Sequence, residues 1–452
     1  MSPAIEFDLR TPELSFLSSG GARVSRTIHP SGLRILTEEV PGAHSTSLGF
    51  WIAVGSRDED DVAYGSTHFL EHLLFKGTST RSALDIAIAF DSVGGEHNAL
   101  TAKEHTCYYA KVQDTDVNMA IDVLADMIVD SVIDPHEFEV ERQVILEELA
   151  MADDDPSDVA HERIAELVLG DHALGRPIGG NPETIKASER ASVLRHYDTY
   201  YRAHELVVSA AGSLKHADIV ACVLSALGRS GWNLADASAP AARRAVDGVA
   251  VADTPRSRVI MRPLEQAVVA LATPGLRATD ERRHVMSVLS SCLGGGMSSR
   301  LFQEIREKRG LAYSVYAFAS SYADAGMFGM AAGTSPSNAK LVAELLRDEL
   351  VALAQSGITE DERLRTIGNL SGSSALALES METRMMRLGR SELTTGEYVD
   401  REEGLARLAR VSTDDVQALA RHLVNSPLSA VVVGAVKDDI VDGVVAAGNI
   451  SA

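Results

Sequence analysis

Residues 66–75 of the chain read Ser-Thr-His-Phe-Leu-Glu-His-Leu-Leu-Phe, and this stretch decides how the rest of the sequence is interpreted. The serine or the threonine can cap a helix that begins at about His68, and the leucines and phenylalanine supply its apolar side. His68 and His72 are four residues apart, so they lie about 40° apart on one helical face. Glu71 projects about 60° to the other side of His68. Two imidazoles and one carboxylate therefore converge on a single patch.

This patch is suited to a metal ion. Histidines one turn apart can bind one zinc ion, while an adjacent glutamate can take the proton of the attacking water. The order of the residues is the inverted form of the His-Glu-x-x-His zinc peptidase motif. The alternative is a helix that carries two histidines by coincidence, which is uncommon in a chain with 14 histidines. The motif alone therefore favours a metal site without requiring one.

Catalytic zinc usually has three protein ligands, so a third donor is expected elsewhere in the chain. Residues 134–151 start with Asp-Pro, a cap and a first-turn residue, and are predicted to form a helix. Glu141 and Glu148 project from the middle of its apolar arc, with Glu147 at the edge. The arc consists of Phe138, Val140, Val144, Ile145, Leu149 and Met151. Burying two carboxylates is costly unless a cation compensates, so Glu148 is predicted to face the metal and Glu141 to support it. An exposed, glutamate-rich helix face is the alternative.

Length and composition describe a globular chain of more than one domain. With 452 residues, 45% of them hydrophobic, the chain can bury two or three cores. The longest apolar runs are strand-length, far short of the roughly 20 residues that span a bilayer. The first residues lack both a basic region and an apolar stretch, so we expect neither a secretion signal nor a mitochondrial presequence, and hence a cytoplasmic protein.

Charge and cysteine content narrow the expected partners. Asp and Glu number 64 against 42 Lys and Arg, a net charge of −22 that repels nucleic acid and anionic membranes and favours cationic partners. The same balance can also simply keep a protein soluble. The three cysteines are scattered and odd in number, which argues against a disulfide framework and suits a reducing compartment.

The chain repeats itself at a distance of roughly 220 residues, which is long enough for a domain. An apolar strand that ends in glycine occurs in both halves, and the pair Glu141-Arg142 recurs as Glu362-Arg363. Near the end of each half, an apolar strand is followed by Gly, Lys and then Ile-Val. The nearly constant offset indicates a duplication.

A stretch of small residues with a proline and no apolar periodicity separates the two halves, and residues 234–255 are predicted to be a linker. The N-terminal domain then covers residues 1–233 and carries the metal patch, while the C-terminal domain covers residues 256–452. Apolar strands alternate with amphipathic helices in each half, and short turns between strands suggest hairpins. The predicted fold is α+β, with two similar domains, each a mostly antiparallel sheet packed with helices.

With these residues in place, the chain resembles the insulinase/pitrilysin family of zinc peptidases, and within it the two-domain processing peptidase β subunits and their bacterial relatives. The likeness covers nearly the whole chain and rests on residues 68–72 and on residues 141–149, which read ERQVILEEL. It implies one zinc ion per chain, a general base and a supporting carboxylate. The residues implied are His68, His72 and Glu148 as ligands, Glu71 as the base and Glu141 as the support.

Residues 94–101 are similar to the strand on which this family binds its substrate. There, an extended peptide adds as a further strand, and backbone pairing gives affinity with little sequence preference. The resemblance implies that Asn98 and Ala99 lie near the scissile bond. An ordinary hairpin is the alternative, because Gly-Gly before a strand is common.

Residues 294–316 resemble the second-domain segment that closes over the substrate. Arg306 and Tyr313 match the pair that contacts the substrate backbone and the developing oxyanion, for which a guanidinium and a phenol are suitable donors. The segment lacks the Gly-Lys-Ser/Thr ending of a phosphate-binding loop, so nucleotide binding is not expected. Asp158 and Glu162 match acidic positions that hold a substrate arginine. Because the surrounding stretch is acidic throughout, a solvated face is the alternative for these two residues.

The second half has lost the metal-directed residues. Aligning the two repeats places a serine or an asparagine opposite each of the three expected ligands and the expected base. The replacements are Ser287, Ser290, Ser291 and Asn369. We therefore expect one half to carry out the chemistry, the other to bind substrate, and the active cavity to lie between them.

Together these patterns predict a zinc metalloendopeptidase that hydrolyses extended, cationic peptides or unfolded segments and works as a homodimer. No nucleic acid or membrane partner is expected. The family also includes non-catalytic scaffold subunits, which typically have degraded metal motifs, whereas residues 68–72 are intact. A further alternative is an active subunit that needs a different partner chain, which the presence of Arg306 and Tyr313 disfavours.

Overall fold

The computed structural model describes residues 4–60, 63–170, 172–246, 248, 251 and 253–446. Within these residues, strands and helices alternate along the chain, as the sequence predicts. The strands are β1 (Ile5–Glu6), β2 (Glu13–Leu17), β3 (Arg23–Ile28), β4 (Arg34–Glu39), β5 (Ser45–Ile52), β6 (Glu96–Thr101), β7 (Thr106–Gln113), β8 (Leu206–Gly212), β9 (Ser257–Met261), β10 (Ala267–Pro274), β11 (Ala312–Ser321), β12 (Gly326–Thr334), β13 (Glu397–Tyr398) and β14 (Ser429–Gly434).

The helices pack on the faces of the sheets that these strands form. They are α1 (Ser66–Leu74), α2 (Ala83–Asp91), α3 (Val117–Asp130), α4 (Pro135–Asp154), α5 (Pro156–Leu169), α6 (Pro182–Ala187), α7 (Arg190–Tyr200), α8 (His216–Arg229), α9 (Arg283–Gly294), α10 (Ala339–Ser356), α11 (Glu360–Ala377), α12 (Met381–Arg390), α13 (Arg401–Arg410), α14 (Thr413–Val424) and α15 (Asp442–Ala446). Two π-helical turns lie at Phe302–Glu307 and Ser391–Thr395. None of the described helices is both long and apolar enough to cross a lipid bilayer.

The first compact unit, unit 1, is built on a seven-stranded sheet. Unit 1 consists of Met1–Leu149, Pro177–Arg243 and Ser374–Glu403. The strand order is β2-β3-β4-β8-β5-β7-β6, and each neighbouring pair is antiparallel except β4 and β8. One face of the sheet packs against α1, α3 and α8, which supply most of the apolar core on that side.

The other face of this sheet is covered by α12. Trp51 lies near the end of β5, and its indole nitrogen donates a hydrogen bond of 2.8 Å to the hydroxyl of Ser209. That hydroxyl donates in turn to the backbone carbonyl of Met385 at 3.0 Å. Met385 and Leu388 pack with Trp51 in a buried cluster. Because both faces are covered, β5 and β8 are buried along almost their whole length.

The second compact unit, unit 2, repeats this plan on a smaller sheet. It consists of Ala150–Arg176, Arg244–Ser373 and Gly404–Ala452. The strand order is β11-β12-β10-β14-β9, antiparallel except for β14 and β9. Helices α9, α10 and α14 cover one face, and the apolar side of α5 covers the other. The predicted α+β class, with two similar and mostly antiparallel units, is confirmed.

Two helices depart from the contiguous ranges that the sequence suggests for the domains. Helix α5 lies in the range 1–233 but packs on the sheet of unit 2, and α12 lies in the range 256–452 but packs on the sheet of unit 1. Each amphipathic helix covers a sheet face that its own sequence neighbours leave open. Local sequence patterns do not reveal this exchange, because it depends on contacts between distant segments.

The duplication is visible in the environment of two corresponding arginines. Arg142 bonds to Glu139, three residues earlier, and donates to the backbone carbonyl of Ser188 at 2.9 Å. Arg363 bonds in the same way to Glu360 and donates to the carbonyl of Val411 at 3.2 Å. In both units, therefore, an arginine on a long helix holds the chain that follows the end of another helix.

Candidate metal centre

Helix α1 begins at Ser66, two residues earlier than the sequence suggests, and its first turn is not capped by the predicted serine or threonine. Gly65 precedes the helix with a φ of 93°, and its position has no side chain that could cap the helix. The carboxyl group of Glu59 takes this role instead. Its Oε2 accepts from the backbone N–H of Gly65 at 2.8 Å, and its Oε1 accepts from that of Thr67 at 2.6 Å. The predicted cap was wrong because Ser66 and Thr67 are both inside the helix.

The structure brings His68, His72 and Glu148 together. Nε2 of His72 lies 3.4 Å from Nε2 of His68 and 3.3 Å from Oε2 of Glu148. The distance from Nε2 of His68 to the same carboxylate oxygen is 3.9 Å. One donor atom from each residue therefore lies within 4.8 Å of the others. Within the described ranges, no other group of three histidines, cysteines or carboxylates has this arrangement.

This donor set fits a zinc ion. Four-coordinate zinc with ligand bonds of about 2.0–2.2 Å places neighbouring donor atoms about 3.3–3.6 Å apart. Two of the three separations, 3.4 and 3.3 Å, lie in this range, and the third is 3.9 Å. Burial, with a smaller contribution from the charge of His72, lowers the pKa of His68 to about 4, so its ring is neutral at pH 7. A neutral imidazole is the form that binds a metal. Two imidazole nitrogens and a carboxylate oxygen that converge on one point are the donor types that zinc binds.

Glu141, together with Lys76, fixes the orientation of the His72 ring through its Nδ1, the nitrogen that does not face the other donor atoms. Nδ1 of His72 lies 3.0 Å from Oε2 of Glu141, which is buried, and Nζ of Lys76 lies 2.7 Å from the other carboxylate oxygen. A proton on Nδ1 that is donated to the carboxylate leaves Nε2 free to bind a metal. By contrast, Nδ1 of His68 is buried and has no hydrogen-bond partner among the described residues.

Glu71 lies on the same helix and is oriented by a strand. The hydroxyl of Thr101, at the end of β6, donates a hydrogen bond of 2.5 Å to Oε2 of Glu71. Burial raises the pKa of Glu71 above its ordinary value, and the hydrogen bond from Thr101 acts in the opposite direction. A carboxyl group with a raised pKa, fixed beside a metal site, is suited to accept a proton.

The apolar face of α4 is narrower than the sequence predicts. Val140 and Val144 are 41% and 39% exposed, and the buried residues of the helix are Phe138, Glu141 and Ile145. Glu141 can occupy this buried face because His72 and Lys76 compensate its charge. The predicted arc was too wide because it assigned every apolar side chain to the core. Glu148 lies on the metal side with a side chain 47% exposed.

Strand β6 carries the two predicted peptide-binding residues, Asn98 and Ala99. It lies at the edge of the sheet of unit 1 and pairs with β7 on one side, from Glu96 opposite Lys111 to Thr101 opposite Thr106. The side chain of Asn98 is exposed, and that of Ala99 is half-buried. Thr101, the last residue of this edge strand, contacts Glu71, so one end of the strand lies beside the metal-directed helix.

The remaining predicted residues belong to unit 2. Arg306 lies in the π-helical turn, where its guanidinium is 4.7 Å from the ring centre of Phe302 and 4.5 Å from that of Tyr313. Its Nη1 donates to the backbone carbonyl of Tyr313 at 2.8 Å. The Tyr313 side chain is 79% exposed. Asp158 is exposed in the first turn of α5, and Glu162 is half-buried one turn later.

In unit 2, other residue types or other contacts are found at the positions that correspond to the metal centre. Ser287, Ser290 and Ser291 lie on α9, and Asn369 lies on α11. Glu362, the counterpart of Glu141, pairs with Arg300 at 2.7 Å instead of with a histidine. Arg300 and the N–H of Thr359 lower the pKa of Glu362 to about 2. The charge that supports a histidine in unit 1 thus stabilises an ion pair in unit 2.

The chain is similar to two family models and to proteins named as zinc proteases. Residues 34–182 match the family model described as insulinase (peptidase family M16), and residues 188–370 match the model described as the peptidase M16 inactive domain. The chain is 49% identical over 429 residues to an uncharacterized zinc protease of Streptomyces coelicolor, which covers 95% of this chain and 93% of that protein. It is 38% identical over 401 residues to an uncharacterized zinc protease of Bacillus subtilis, with coverage of 88% and 95%.

Solved structures show the same fold. A crystal structure named as a peptidase M16 inactive domain from Pseudomonas fluorescens aligns with a TM-score of 0.79 at 19% identity, covering 94% of this chain and 98% of that chain. A protease from Helicobacter pylori aligns with a TM-score of 0.80 at 20% identity, covering 93% and 99%.

Proposed function

Because the chain belongs to the insulinase family of peptidases (M16), we propose that it is a zinc endopeptidase whose metal centre is formed by His68, His72 and Glu148. The observation that carries this proposal is the convergence of their three donor atoms within 4.8 Å, with Glu71 on the same helix. The relatives from Streptomyces and Bacillus are named zinc proteases, which supports zinc as the metal. One ion per chain is proposed because the described residues contain one such group of three donors.

The chain's own residues supply positioning and proton transfer. A zinc ion bound at these three residues would act as a Lewis acid that polarises the scissile carbonyl and makes water more acidic. Glu71 accepts a proton from the attacking water, and Thr101 holds the carboxyl group in place for this step. Glu141 and Lys76 orient His72 and keep its Nε2 directed at the centre.

We assign the carbonyl-stabilising role to Tyr313 and Arg306, because they match the corresponding family pair. Tyr313 is exposed, and among the described residues no side chain accepts a hydrogen bond from its hydroxyl. Arg306, in contrast, already donates to the Tyr313 carbonyl and lies over its ring. A hydrogen-bond donor directed at the developing negative charge would lower the barrier to hydrolysis.

The substrate would be an extended peptide or an unfolded segment. Among the described residues, β6 is the edge strand of its sheet, so the backbone of Asn98 and Ala99 can pair with one more strand. Asp158 and Glu162 would favour a cationic side chain in that peptide, in agreement with the net charge of −22. We further propose that the protein is cytoplasmic, because its three cysteines are free thiols. We propose a homodimer because Arg306 and Tyr313 are in the same chain as the metal-directed residues, so a different partner chain is not needed to supply them.

A cleavage profile tests this proposal. The purified chain would be incubated with a mixture of peptides of varied sequence, and the products would be identified by mass spectrometry. We expect internal cleavage that stops with a chelator, returns with zinc, and occurs more often near arginine or lysine. Zinc binding without any cleavage would contradict the proposal and favour a scaffold or a subunit that needs a different partner chain. The variant Asp158→Asn with Glu162→Gln should lose the preference for cationic residues while it keeps the activity.

A further inference from the structure

The helix with the metal-directed residues has an unusual beginning. His68 is only the third residue of α1, so the first turn of the helix determines where its ring points. The residue before the helix, Gly65, has a left-handed backbone conformation. A Cβ at this position would lie 2.7 Å from the terminal methyl of Ile185 and 3.2 Å from the carbonyl oxygen of Gly179. Any other residue would also be strained in this left-handed conformation, so the entry into the helix depends on glycine.

One carboxyl group fixes this beginning. Both oxygens of Glu59 are used, one for the N–H of Gly65 and one for the N–H of Thr67, at 2.8 and 2.6 Å. Glu59 is 6% exposed, and burial raises its pKa to about 7 despite these hydrogen bonds. The two amides lie on either side of Ser66. The two bonds together therefore limit rotation of the first turn about the helix axis and its movement along that axis.

The end of the same helix is held as well. Lys76, just beyond α1, bonds to the carboxylate of Glu141 that contacts His72. The two histidines are thus fixed from opposite ends of a helix of only nine residues. Since Nδ1 of His68 has no partner of its own in the described part of the chain, its ring depends on the position of the helix more than that of His72 does.

We propose that Glu59 is a positioning residue of the metal centre, which holds the first turn of α1 so that Nε2 of His68 meets the other two donor atoms. This inference rests on the metal centre of the proposed function, and it does not require that the chain cleaves peptides. Glutamine at position 59 keeps one acceptor oxygen but directs an NH₂ group at the second amide. Alanine removes both acceptors.

A matched control exists in the next helix. Ser82 caps α2, and its hydroxyl accepts from the N–H of Asp85 at 3.2 Å. Ser82→Ala therefore removes a helix cap from unit 1 without touching any residue that contacts the metal-directed side chains. A loss of stability alone would affect this variant and the Glu59 variants alike.

The test measures metal binding directly. Zinc affinity would be determined by competition with a chromophoric chelator for the wild type and for Glu59→Gln, Glu59→Ala and Ser82→Ala, with circular dichroism as a check of folding. The visible spectrum of each cobalt-substituted protein would report the geometry of the donor set. We expect zinc to bind about 10- to 100-fold more weakly in Glu59→Gln, with an altered cobalt spectrum, and unchanged in Ser82→Ala. Glu59→Ala should be weaker still, and the glutamine variant alone decides if the alanine variant does not fold.

Two results would overturn the inference. One is wild-type zinc affinity and an unchanged cobalt spectrum in Glu59→Gln. The other is an equal loss of affinity in Glu59→Gln and Ser82→Ala, which would indicate general destabilisation. Peptide cleavage by the same wild-type preparation is measured separately. A wild type that binds zinc but cleaves nothing would contradict the proposed function and would leave the role of Glu59 to be decided by the affinities.

Discussion

Nδ1 of His72 lies 3.0 Å from Oε2 of Glu141, and this carboxylate is buried in the core of unit 1. A buried charge of this kind is stable only with compensation, which His72 and Lys76 provide at hydrogen-bond distance. The pair therefore links the stability of α4 to the orientation of a metal-directed ring.

The first prediction concerns this pair. Glu141→Gln should weaken zinc binding by about 10- to 100-fold, because the amide no longer pairs with Lys76 and holds His72 less firmly. Zinc competition titration measures the effect. Glu139→Gln removes a charge from an exposed position of the same helix and should leave the affinity unchanged. Equal affinities for Glu141→Gln and the wild type would show that Glu141 has no supporting role.

The second prediction distinguishes two adjacent glutamates. Glu148 contributes the third donor atom, whereas the neighbouring Glu147 is exposed and is not part of the donor set. After dialysis, Glu148→Gln should retain little zinc, while Glu147→Gln should keep about one ion per chain, because catalytic zinc needs three protein ligands. Metal analysis of both variants decides the assignment. The reverse result would mean that the ligand is Glu147.

The third prediction concerns Arg306 and Tyr313. If Arg306 acts mainly by holding the Tyr313 ring and carbonyl, then Tyr313→Phe and Arg306→Ala should each lower kcat by about 100-fold, and the double variant should lose little more. Kinetics of the four proteins on one peptide form a double-mutant cycle. Zinc content should be the same in all four. Fully additive losses would show that the two side chains act independently.

The fourth prediction is a dependence of stability on pH. The pKa of Glu59 is about 7 in the folded chain because of burial, above the value of 4.5 for an exposed glutamate, and the positive charge of Lys103 acts in the opposite direction. Between these pH values the folded chain binds a proton that the unfolded chain has lost. The contribution of Glu59 to the free energy of unfolding should therefore fall as the pH rises from about 4.5 to about 7, by on the order of 3 kcal/mol.

Denaturation of the zinc-free chain between pH 4.5 and 8, with a chelator present, measures this effect. Glu59→Gln cannot titrate at this position, so the difference in stability between the wild type and this variant should change over the same pH range. A difference that stays constant from pH 4.5 to 8 would mean that Glu59 does not change its charge on folding.

The sequence predicted those parts of the site that depend on local spacing. The positions of His68, Glu71 and His72 on one helix follow from a pattern of five residues, and the α+β class follows from strands that alternate with helices. In contrast, no sequence signal pointed to Glu59, because its contact with α1 depends on the path of the intervening loop. The same reasoning applies to Lys76, whose partner Glu141 is 65 residues away in the sequence.

The burial of apolar side chains on α4 and the packing of two helices were predicted incorrectly. Val140 and Val144 have the spacing of a core-facing stripe, yet both are exposed, since the core contact of α4 needs only one side of the helix. Helices α5 and α12 look like ordinary members of their own halves. Each packs on a sheet built mainly from the other half of the sequence, because that sheet has an open face, and this is a property of the complete fold.

The central claim is that a zinc ion and Glu71 together hydrolyse a peptide bond. The most direct measurement is the zinc content and the peptide cleavage rate of Glu71→Gln, with His72→Ala as the comparison. We expect Glu71→Gln to keep about one zinc ion per chain and to lose about 100- to 10,000-fold in kcat, while His72→Ala loses both metal and activity. Cleavage at the wild-type rate by zinc-loaded Glu71→Gln would contradict the account.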